Sequence, residues 1–426
     1  MHDLFTLALT GQSLIKHDLR KDTEDAFEQV QAVLREADLA FTNFEGTIYG
    51  SHRGWPLKGS FFGCSAPVVL DALKEIGFEA LALSNNHAFD LGPPGVLSTQ
   101  EEVEKRGFLH AGIGHDLSQA AVAGTKDVAG RRIALVAMDG GPGPDFMYAA
   151  DAGPSRPGRP GVNRLRLSQV IEVEDKAFDQ LSHIRDQVGY TAIDLANDSQ
   201  PDDAPSLDGT DELALSRAVF RRSRQSGRSV RIDRADLERN LGTIAGAAEG
   251  GALVIAYLHH HHWASDWYEV PDWVGGLARQ CIDAGAAVFA SHGAPVLQPV
   301  ELYRGCPIFY SLGNFIFHVG SKKSTWTAPE VWESVIATCS FGPDNRVETI
   351  EFHPIVIGGE AQLRDPVLER RRAPHLATGA AAARILARFA DQCAKRDVAI
   401  EIAGDVGRID CRRHESRLQQ PAQAKR

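Results

Sequence analysis

The chain has 426 residues, 43% hydrophobic and 24% charged, which suits a globular protein of one large or two ordinary domains. Its formal net charge of −11 argues against a nucleic-acid partner, because phosphate backbones attract basic surfaces. The six cysteines form no Cys-x-x-Cys pair, which disfavours a zinc ribbon or disulfide scaffold and favours reduced thiols. With no signal-peptide pattern and no apolar run long enough to span a bilayer, we expect a cytoplasmic protein without a membrane partner.

Short apolar strands alternate with amphipathic helices along much of the chain. Strands are predicted at 5–10, 39–42, 80–83, 131–138, 253–258 and 287–290, and helices at 22–36, 67–76, 237–248 and 273–284. This alternation predicts an α/β protein with a mainly parallel sheet and helices on both faces.

The pattern changes after residue 300. A further strand is predicted at 308–311, and alternating segments at 335–338 and 347–352 predict an antiparallel pair that closes a second sheet. We divide the chain into a main domain, residues 1–365, and a C-terminal helix (377–393) with a frayed polar tail, residues 366–426. A polar segment at about 190–232 is interpreted as an exposed insertion, helical in part, and the pattern also allows a second domain there.

Four histidines, residues 259–262, and Trp263 directly follow the apolar strand 253–258. Ligands bind at the carboxyl ends of strands in open α/β sheets, and neutral imidazole is a common metal ligand. A chance polar run or a leftover purification tag is disfavoured by the position in mid-chain after a strand. Because side chains alternate along an extended backbone, at most two of these histidines face one pocket, and we predict His259 and His261.

Other predicted strands also end in ligand-type side chains. Glu45 follows strand 39–42, Asn86 and His87 follow strand 80–83, and His292 follows strand 287–290. In one parallel sheet these groups converge on one edge, although a lone acid such as Glu45 is more often a turn cap. Carboxylate, amide and imidazole together fit Zn, Mn or Fe better than Ca or Mg.

A loop at 140–167, rich in Gly and Pro, carries Arg156 and Arg159. Guanidinium groups suit carboxylate or phosphate ligands, so this loop is a candidate substrate-binding segment. A solvated linker is an equally good interpretation of the same pattern.

Several of these segments resemble one known family. They are Thr42-Asn43-Phe44-Glu45, Leu83-Ser84-Asn85-Asn86-His87-Ala88-Phe89-Asp90-Leu91-Gly92, residues 159–163, residues 259–263 and Tyr310-Ser311-Leu312-Gly313-Asn314-Phe315-Ile316-Phe317. In this order, over roughly residues 5–355, they resemble the CapA family of capsule (poly-γ-glutamate) synthesis proteins, within the calcineurin-like metallophosphoesterase superfamily. The resemblance implies a four-layer fold, with two packed mixed sheets flanked by helices and a metal centre at the strand ends.

The resemblance also implies roles for individual residues. Those implied as metal ligands are Glu45, Asn86, His259 and His292, with Gln12 at a fifth ligand position. His87 is implied as the acid beside the metal that stabilises charge or protonates the leaving group. With it we place Asp90 and His261 in the catalytic group. The substrate-binding group comprises Arg156, Arg159, Asn163 and Asn314.

Two departures from the family pattern fall on one half of the site. The family usually has Gly-Asp after the first strand, where this chain has Gly11-Gln12, and an amide cannot bridge two cations as a carboxylate does. The usual Gly-His-His-Pro-His is replaced by residues 291–295, with Pro295 in place of the last histidine. We therefore expect one metal, or a weakly bound second, with His261 recruited as an extra ligand.

These features favour a metal-dependent hydrolase that uses one or two Mn, Fe or Zn ions on an anionic phosphoester or glutamyl-amide substrate, either a small molecule or a polymer. The alternative is a non-catalytic accessory protein that binds such a polymer or a partner enzyme. Whether the chain forms a homodimer is left open by the sequence.

Overall fold

The computed structural model describes residues 4–21, 25–58, 63–198, 207–216, 218–320, 326–365 and 367–413. Its strands are β1 (Phe5–Leu9), β2 (Gln12–Leu14), β3 (Leu39–Asn43), β4 (Thr47–Ile48), β5 (Cys64–Ser65), β6 (Ala80–Ala82), β7 (Leu109–Ala111), β8 (Ile113–Gly114), β9 (Gly124–Val128), β10 (Arg131–Asp139), β11 (Gly161–Val162), β12 (Leu167–Glu174), β13 (Glu212–Leu215), β14 (Ala218–Ser223), β15 (Gly227–Ile232), β16 (Leu253–His259), β17 (Val288–His292), β18 (Val300–Tyr303), β19 (Cys306–Phe309), β20 (Asn314–Phe317), β21 (Glu333–Phe341), β22 (Val347–Ile357), β23 (Pro374–Leu376), β24 (Glu401–Ala403) and β25 (Val406–Asp410). Its helices are α1 (Asp25–Glu36), α2 (Val68–Ile76), α3 (Pro93–Lys105), α4 (Leu117–Ala120), α5 (Asp175–Gln187), α6 (Ala192–Asp198), α7 (Arg234–Glu249), α8 (Asp272–Asp283), α9 (Gly359–Gln362) and α10 (Gly379–Ala394).

The first large sheet has the order β24-β25-β22-β21-β1-β3-β6-β7, with β23 also paired to β22. Strands β1, β3, β6 and β7 are parallel, and β21 joins β1 in the antiparallel sense. The predicted antiparallel pair is β21 with β22, but it extends this first sheet instead of closing a separate one. Strands β23 and β25, beyond residue 366, pair with β22 and so belong to the same sheet.

The second large sheet has the order β18-β19-β17-β16-β10-β9, and its four central strands are parallel. The apolar run that begins at residue 253 forms β16, whose seven residues are all buried. One face of β16 packs against the first sheet and the other against α7 and α8, which explains why the run shows no polar alternation.

The two sheets pack face to face, and helices cover their outer faces. The inner core contains Leu7, Phe41, Leu135 and Ile255 from both sheets. Helices α1, α2 and α3 pack on the outer face of the first sheet, and α7 and α8 on that of the second. The expected fold of two packed mixed sheets flanked by helices is confirmed.

The polar insertion belongs to a third, smaller sheet with the order β13-β14-β12-β15, which begins at Leu167. Among the described residues of the predicted segment 190–232, α6 is followed by three strands, so more of these residues lie in strands than in helix. The sequence of these strands is polar because it is rich in arginine. The arginines fit into the sheet because they form ion pairs: Arg221 and Arg231 both contact the buried carboxylate of Glu212.

Some expectations fall on residues outside the described ranges, namely residues 22–24 of the first predicted helix, 199–206 and 217 of the insertion, and the tail 414–426. Within the described ranges, no helix combines the length and the apolar character needed to cross a bilayer.

Candidate metal centre

Strand ends from both large sheets meet at one place. Glu45 lies just after β3 and Asn86 just after β6 in the first sheet, whereas His259 and His292 end β16 and β17 in the second. The expectation that one sheet edge carries all four groups is therefore wrong. Ligand-type residues come from both sheets because the parallel strands of the two packed sheets end on the same side of the molecule.

Two glycines allow the backbones around the site to approach closely. A Cβ at Gly293, whose φ is +128°, would lie 1.8 Å from the carbonyl oxygen of His260. A Cβ at Gly11 would lie 2.5 Å from the carbonyl oxygen of Gly313. Side chains at these positions would separate the loops that carry His261 and Gln12.

One carboxylate and two imidazoles form a compact cluster. Ligand atoms of Glu45, His259 and His261 lie within 4.8 Å of one another. The rings of His259 and His261 are 5.1 Å apart, whereas His260 packs against Trp273 at 4.9 Å on the other side of the strand. The alternation expected from an extended backbone thus separates this pair from its neighbours.

The donor atoms around this cluster fit a metal ion. Around the cluster, five candidate ligands each have a buried oxygen or nitrogen without a hydrogen-bond partner among the described residues: Gln12 Oε1, Glu45 Oε2, Asn86 Oδ1, His259 Nε2 and His292 Nε2. Such groups are costly when unsatisfied, so their concentration indicates a ligand. His259 Nε2 lies 3.8 Å from Glu45 Oε1, too far for a hydrogen bond but suitable for two ligands of one ion with bonds of about 2.0–2.2 Å.

Burial sets the protonation of these groups. It lowers the pKa of His259 well below its ordinary value, helped by the neighbouring His261 and His260, and it lowers the pKa of His292 to about 3. Both imidazoles are therefore neutral near pH 7, which is the form that binds metals. Burial also raises the pKa of Glu45, and the neighbouring His87 opposes this shift only in part. A cation at this site would lower the pKa of Glu45 and favour its ionised form.

His87 lies in a polar network directly beside the cluster. Its Nδ1 is 2.6 Å from Asp90 Oδ2, and the same oxygen accepts the backbone N–H of Gly63 at 2.8 Å. Asp90 Oδ1 pairs with Lys58 Nζ at 2.7 Å. Burial opposes ionisation of Asp90, but His87 and Lys58 outweigh it and hold the pKa of the carboxyl below its usual range. The ionised Asp90 therefore fixes the orientation of the His87 ring.

The two residues that depart from the family pattern, Gln12 and Pro295, line the same cavity. Gln12 Nε2 donates to Asn314 Oδ1 at 3.0 Å, which directs Gln12 Oε1 away from that contact. Asn314 in turn donates from Nδ2 to Val331 O at 3.0 Å. Gln12 and Pro295 both line the cavity at the site, so neither a carboxylate nor an imidazole stands at these two positions.

The other predicted substrate-binding residues lie outside the cavity lining. Arg159 donates to the carbonyl oxygens of Tyr148 and Asp145, and Arg156 is exposed at a turn with Gly153. Asn163 is buried and donates from Nδ2 to Ala137 O and Asn240 Oδ1, both at 2.8 Å.

Two charged residues near the site were not predicted. Asp139 ends β10, and its Oδ2 accepts hydrogen bonds from Tyr148 and from the backbone of Gly141, both at 3.2 Å. Burial raises the pKa of Asp139 to about 7. An acid at the end of a buried strand is the signal that identified the other candidates, so it could have been found. Lys58 lies in a loop, and its local sequence gives no such signal.

A cavity of about 280 Å³ opens onto the cluster. Its lining residues are Gln12, Glu45, Lys58, Asn86, His87, His261, Trp263, Gly293, Pro295, Phe317 and Trp326. The cavity thus borders both the candidate metal ligands and His87, the partner of Asp90.

The fold and the site define an α/β protein with two large packed sheets and a carboxylate–histidine cluster at their strand ends. Over residues 6–319 the chain matches the family described as bacterial capsule synthesis protein PGA_cap, and it belongs to that family.

Individual proteins are also similar to this chain. The chain is 31% identical over 320 residues to the uncharacterized protein y4sH of Sinorhizobium fredii (strain NBRC 101917 / NGR234), covering 74% of this chain and 66% of that protein. It is 23% identical over 317 residues to the PGA biosynthesis protein CapA of Bacillus subtilis (strain 168), covering 74% of this chain and 63% of that protein. The chain therefore spans just under two thirds of the length of these curated relatives. A crystal structure of a 5'-nucleotidase precursor from Thermus thermophilus aligns with a TM-score of 0.36 and 12% identity, covering 83% of this chain and 54% of that one.

Proposed function

We propose that the protein is a metal-dependent hydrolase that cleaves a small anionic phosphate ester. The observation that carries this proposal is the set of buried, unpartnered ligand atoms beside the His87–Asp90 pair and an open cavity. A site that served only structure would satisfy these atoms internally.

Four residues would hold one Mn, Fe or Zn ion: Glu45, Asn86, His259 and His292, with His261 as an additional ligand. When bound, such an ion lowers the pKa of a water molecule and offsets negative charge on a phosphoryl oxygen. Gln12 offers only an amide oxygen where a bridging carboxylate would be needed, which supports one tightly held ion rather than two.

The chain's own residues bind the substrate and move the proton. Hydrolysis bonds the water oxygen to phosphorus and breaks the bond between phosphorus and the alcohol oxygen. His87, held by Asp90, supplies a proton to that departing oxygen, and the water supplies the compensating proton. Lys58 lines the same cavity and attracts the anionic group.

Metal analysis of tag-free protein tests this proposal. About one equivalent of Mn, Fe or Zn is expected in the parent and a large loss in His259→Ala and His292→Ala. His260→Ala is the matched control, because His260 belongs to the same histidine run but packs against Trp273. A parent without metal after reconstitution, or equal loss in the control, would reject the site.

A non-catalytic binding function is the second candidate, and Gln12 and Pro295 favour it, because both occupy places where the family has ligands. A catalyst loses turnover in His87→Ala but keeps its metal. A binding protein has no turnover with any phosphate ester or glutamyl amide, whether His87 is present or not.

A further inference from the structure

The lining of the cavity at the candidate metal centre is of two chemical kinds. Its polar residues include Glu45, Lys58 and His87, and its large rings are Trp263, Phe317 and Trp326, here called the aromatic wall. A site for a small inorganic anion alone would not need three large rings in its lining.

The rings of the aromatic wall pack against one another and against Trp267. Trp267 stacks on Trp326 with ring centres 6.0 Å apart and planes inclined by 13°, and it meets Trp263 edge to face at 5.9 Å. Phe317 meets Trp326 edge to face at 5.5 Å. These contacts follow the preferred geometries of aromatic pairs, so the rings hold one another in place.

Polar contacts fix the same rings to the scaffold. Trp332, which is fully buried, donates from Nε1 to the carbonyl oxygen of Trp326 at 2.7 Å and packs against Phe317. Gln298 Nε2 donates to the carbonyl oxygen of Trp267 at 2.7 Å. A wall held in this way loses little conformational entropy when a ligand packs against it.

Trp263 also presents an unsatisfied donor. Its ring lies 4.8 Å from that of the candidate ligand His261, and its buried Nε1 has no acceptor among the described residues. An unpaired indole N–H on a residue of the cavity lining would suit a ligand with an acceptor atom close to its apolar part.

Lys58 brings a positive charge to the polar part of the lining. Lys58 Nζ is held by Asp90 Oδ1 at 2.7 Å and also donates to the carbonyl oxygen of Asn86, so its charge is fixed beside the cluster. The cavity of about 280 Å³ exceeds the roughly 150 Å³ that suffices for benzene, which leaves space for one ring and one phosphate group.

We propose that the substrate is a small phosphate monoester whose alcohol carries a planar aromatic ring. The phosphate lies between Lys58 and the metal ligands, and the ring packs on the aromatic wall, where Trp263 Nε1 donates to an acceptor on the ester. A flexible γ-glutamyl chain has no ring to match this surface. This inference rests on the proposed hydrolase function and narrows its substrate.

Equilibrium binding of non-hydrolysable phosphonates to the metal-loaded protein tests the inference by calorimetry. Phenylphosphonate is expected to bind about tenfold more tightly than methylphosphonate or γ-glutamylglutamate, because only the phenyl ring uses the aromatic wall. Trp263→Leu and Trp326→Leu should each abolish most of this advantage, and Trp326→Leu should leave methylphosphonate binding unchanged. Trp55→Leu is the control, because Trp55 is 74% exposed and outside the lining.

The outcomes separate this inference from the proposed function. Equal affinity for phenyl- and methylphosphonate, or tighter binding of γ-glutamylglutamate, would overturn the ring preference even if phosphate esters are hydrolysed. Ring-selective binding that depends on Trp263, without turnover of any ester, would support the ring site and reject the hydrolase. The comparison of ligands on the parent protein needs no variant, so it decides the matter even if a tryptophan variant fails to fold.

Discussion

Gln12 and Asn314 are joined by a 3.0 Å hydrogen bond from Nε2 to Oδ1, across the parallel pair β2–β20. This bond leaves Gln12 Oε1 as the one side-chain atom at that position able to reach a cation. A neutral amide oxygen attracts a second cation far less than a carboxylate would. The geometry therefore explains why we expect a single tightly bound metal.

The first prediction follows from this relationship. Gln12→Asp places a carboxylate beside the cluster, and metal content measured by elemental mass spectrometry should rise from about one equivalent toward two. Gln12→Asn is the control, because asparagine has the size of aspartate without its charge, and its metal content should remain near one equivalent. Two equivalents in the parent protein would contradict the single-metal interpretation.

The second prediction concerns His87 as a proton donor. His87→Asn should reduce kcat for esters of alkyl alcohols by about 10²–10⁴-fold, because a poor leaving group needs the proton. The loss should be much smaller for a nitrophenyl ester, whose anion leaves without one. Steady-state kinetics on both esters provides the measurement.

Asp90→Asn should reproduce part of the same leaving-group dependence, because it removes the carboxylate that orients the His87 ring. The metal content of His87→Asn and Asp90→Asn should stay at the parent value. His52→Asn is the control, because His52 is exposed, and its kcat on both esters should equal that of the parent. An equal loss on both esters would assign His87 to substrate binding instead of proton transfer.

The third prediction concerns His318, away from the cluster. His318 Nδ1 accepts the backbone N–H of Lys16 at 2.9 Å, and its Nε2 lies 3.0 Å from the carbonyl oxygen of Arg372. Burial lowers the pKa of His318 to about 3. The unfolded chain binds a proton here below pH 6.5 and the folded chain does not, so stability falls as pH falls from about 6.5 toward 3.

Between pH 7.5 and 5.0 this residue alone should lower the free energy of unfolding by about 2 kcal/mol. His318→Gln preserves one acceptor and one donor but does not titrate, so the variant should lose about 2 kcal/mol less than the parent over that range. Urea unfolding at the two pH values measures both. Parallel losses in parent and variant would show that His318 is not the titrating group.

Much of the fold could be predicted because it depends on local pattern. The run that forms β16 is apolar on both faces, since one face packs on a sheet and the other on helices. The rule that ligands gather at strand ends selected Glu45, Asn86, His259 and His292 as candidate ligands. It did not reveal that two sheets contribute, because sheet membership depends on pairings distant in sequence, such as β1 with β21.

The aromatic wall and Lys58 could not be predicted by the same reasoning. Lys58 and Trp263 lie in loops, where local sequence does not fix the direction of a side chain, and they meet Trp326 only through tertiary packing. The insertion strands were missed for another reason. Their arginines suggest exposed loop, but Arg221 and Arg231 neutralise the buried carboxylate of Glu212 within the sheet.

The fourth prediction concerns Asp139, which occupies the position matching His259 on the neighbouring parallel strand. Adjacent strands lie about 4.8 Å apart, and both residues continue the face that carries Ala137 and Tyr257 into the inner core. In the described structure neither Asp139 Oδ1 nor His259 Nδ1 has a hydrogen-bond partner. A metal-bound histidine usually donates its second ring N–H to such a carboxylate.

Asp139→Asn should therefore weaken metal binding by about 10–100-fold, measured by competition with a chelator of known affinity. Tyr148→Phe is the matched control, because it removes one hydrogen bond to Asp139 Oδ2 but keeps the carboxylate. Its effect on metal affinity should stay within about threefold, since Asp139 Oδ1, which has no partner in the described structure, would still be available. Unchanged affinity in Asp139→Asn would mean that the orientation of His259 is set by the packing of β16 alone.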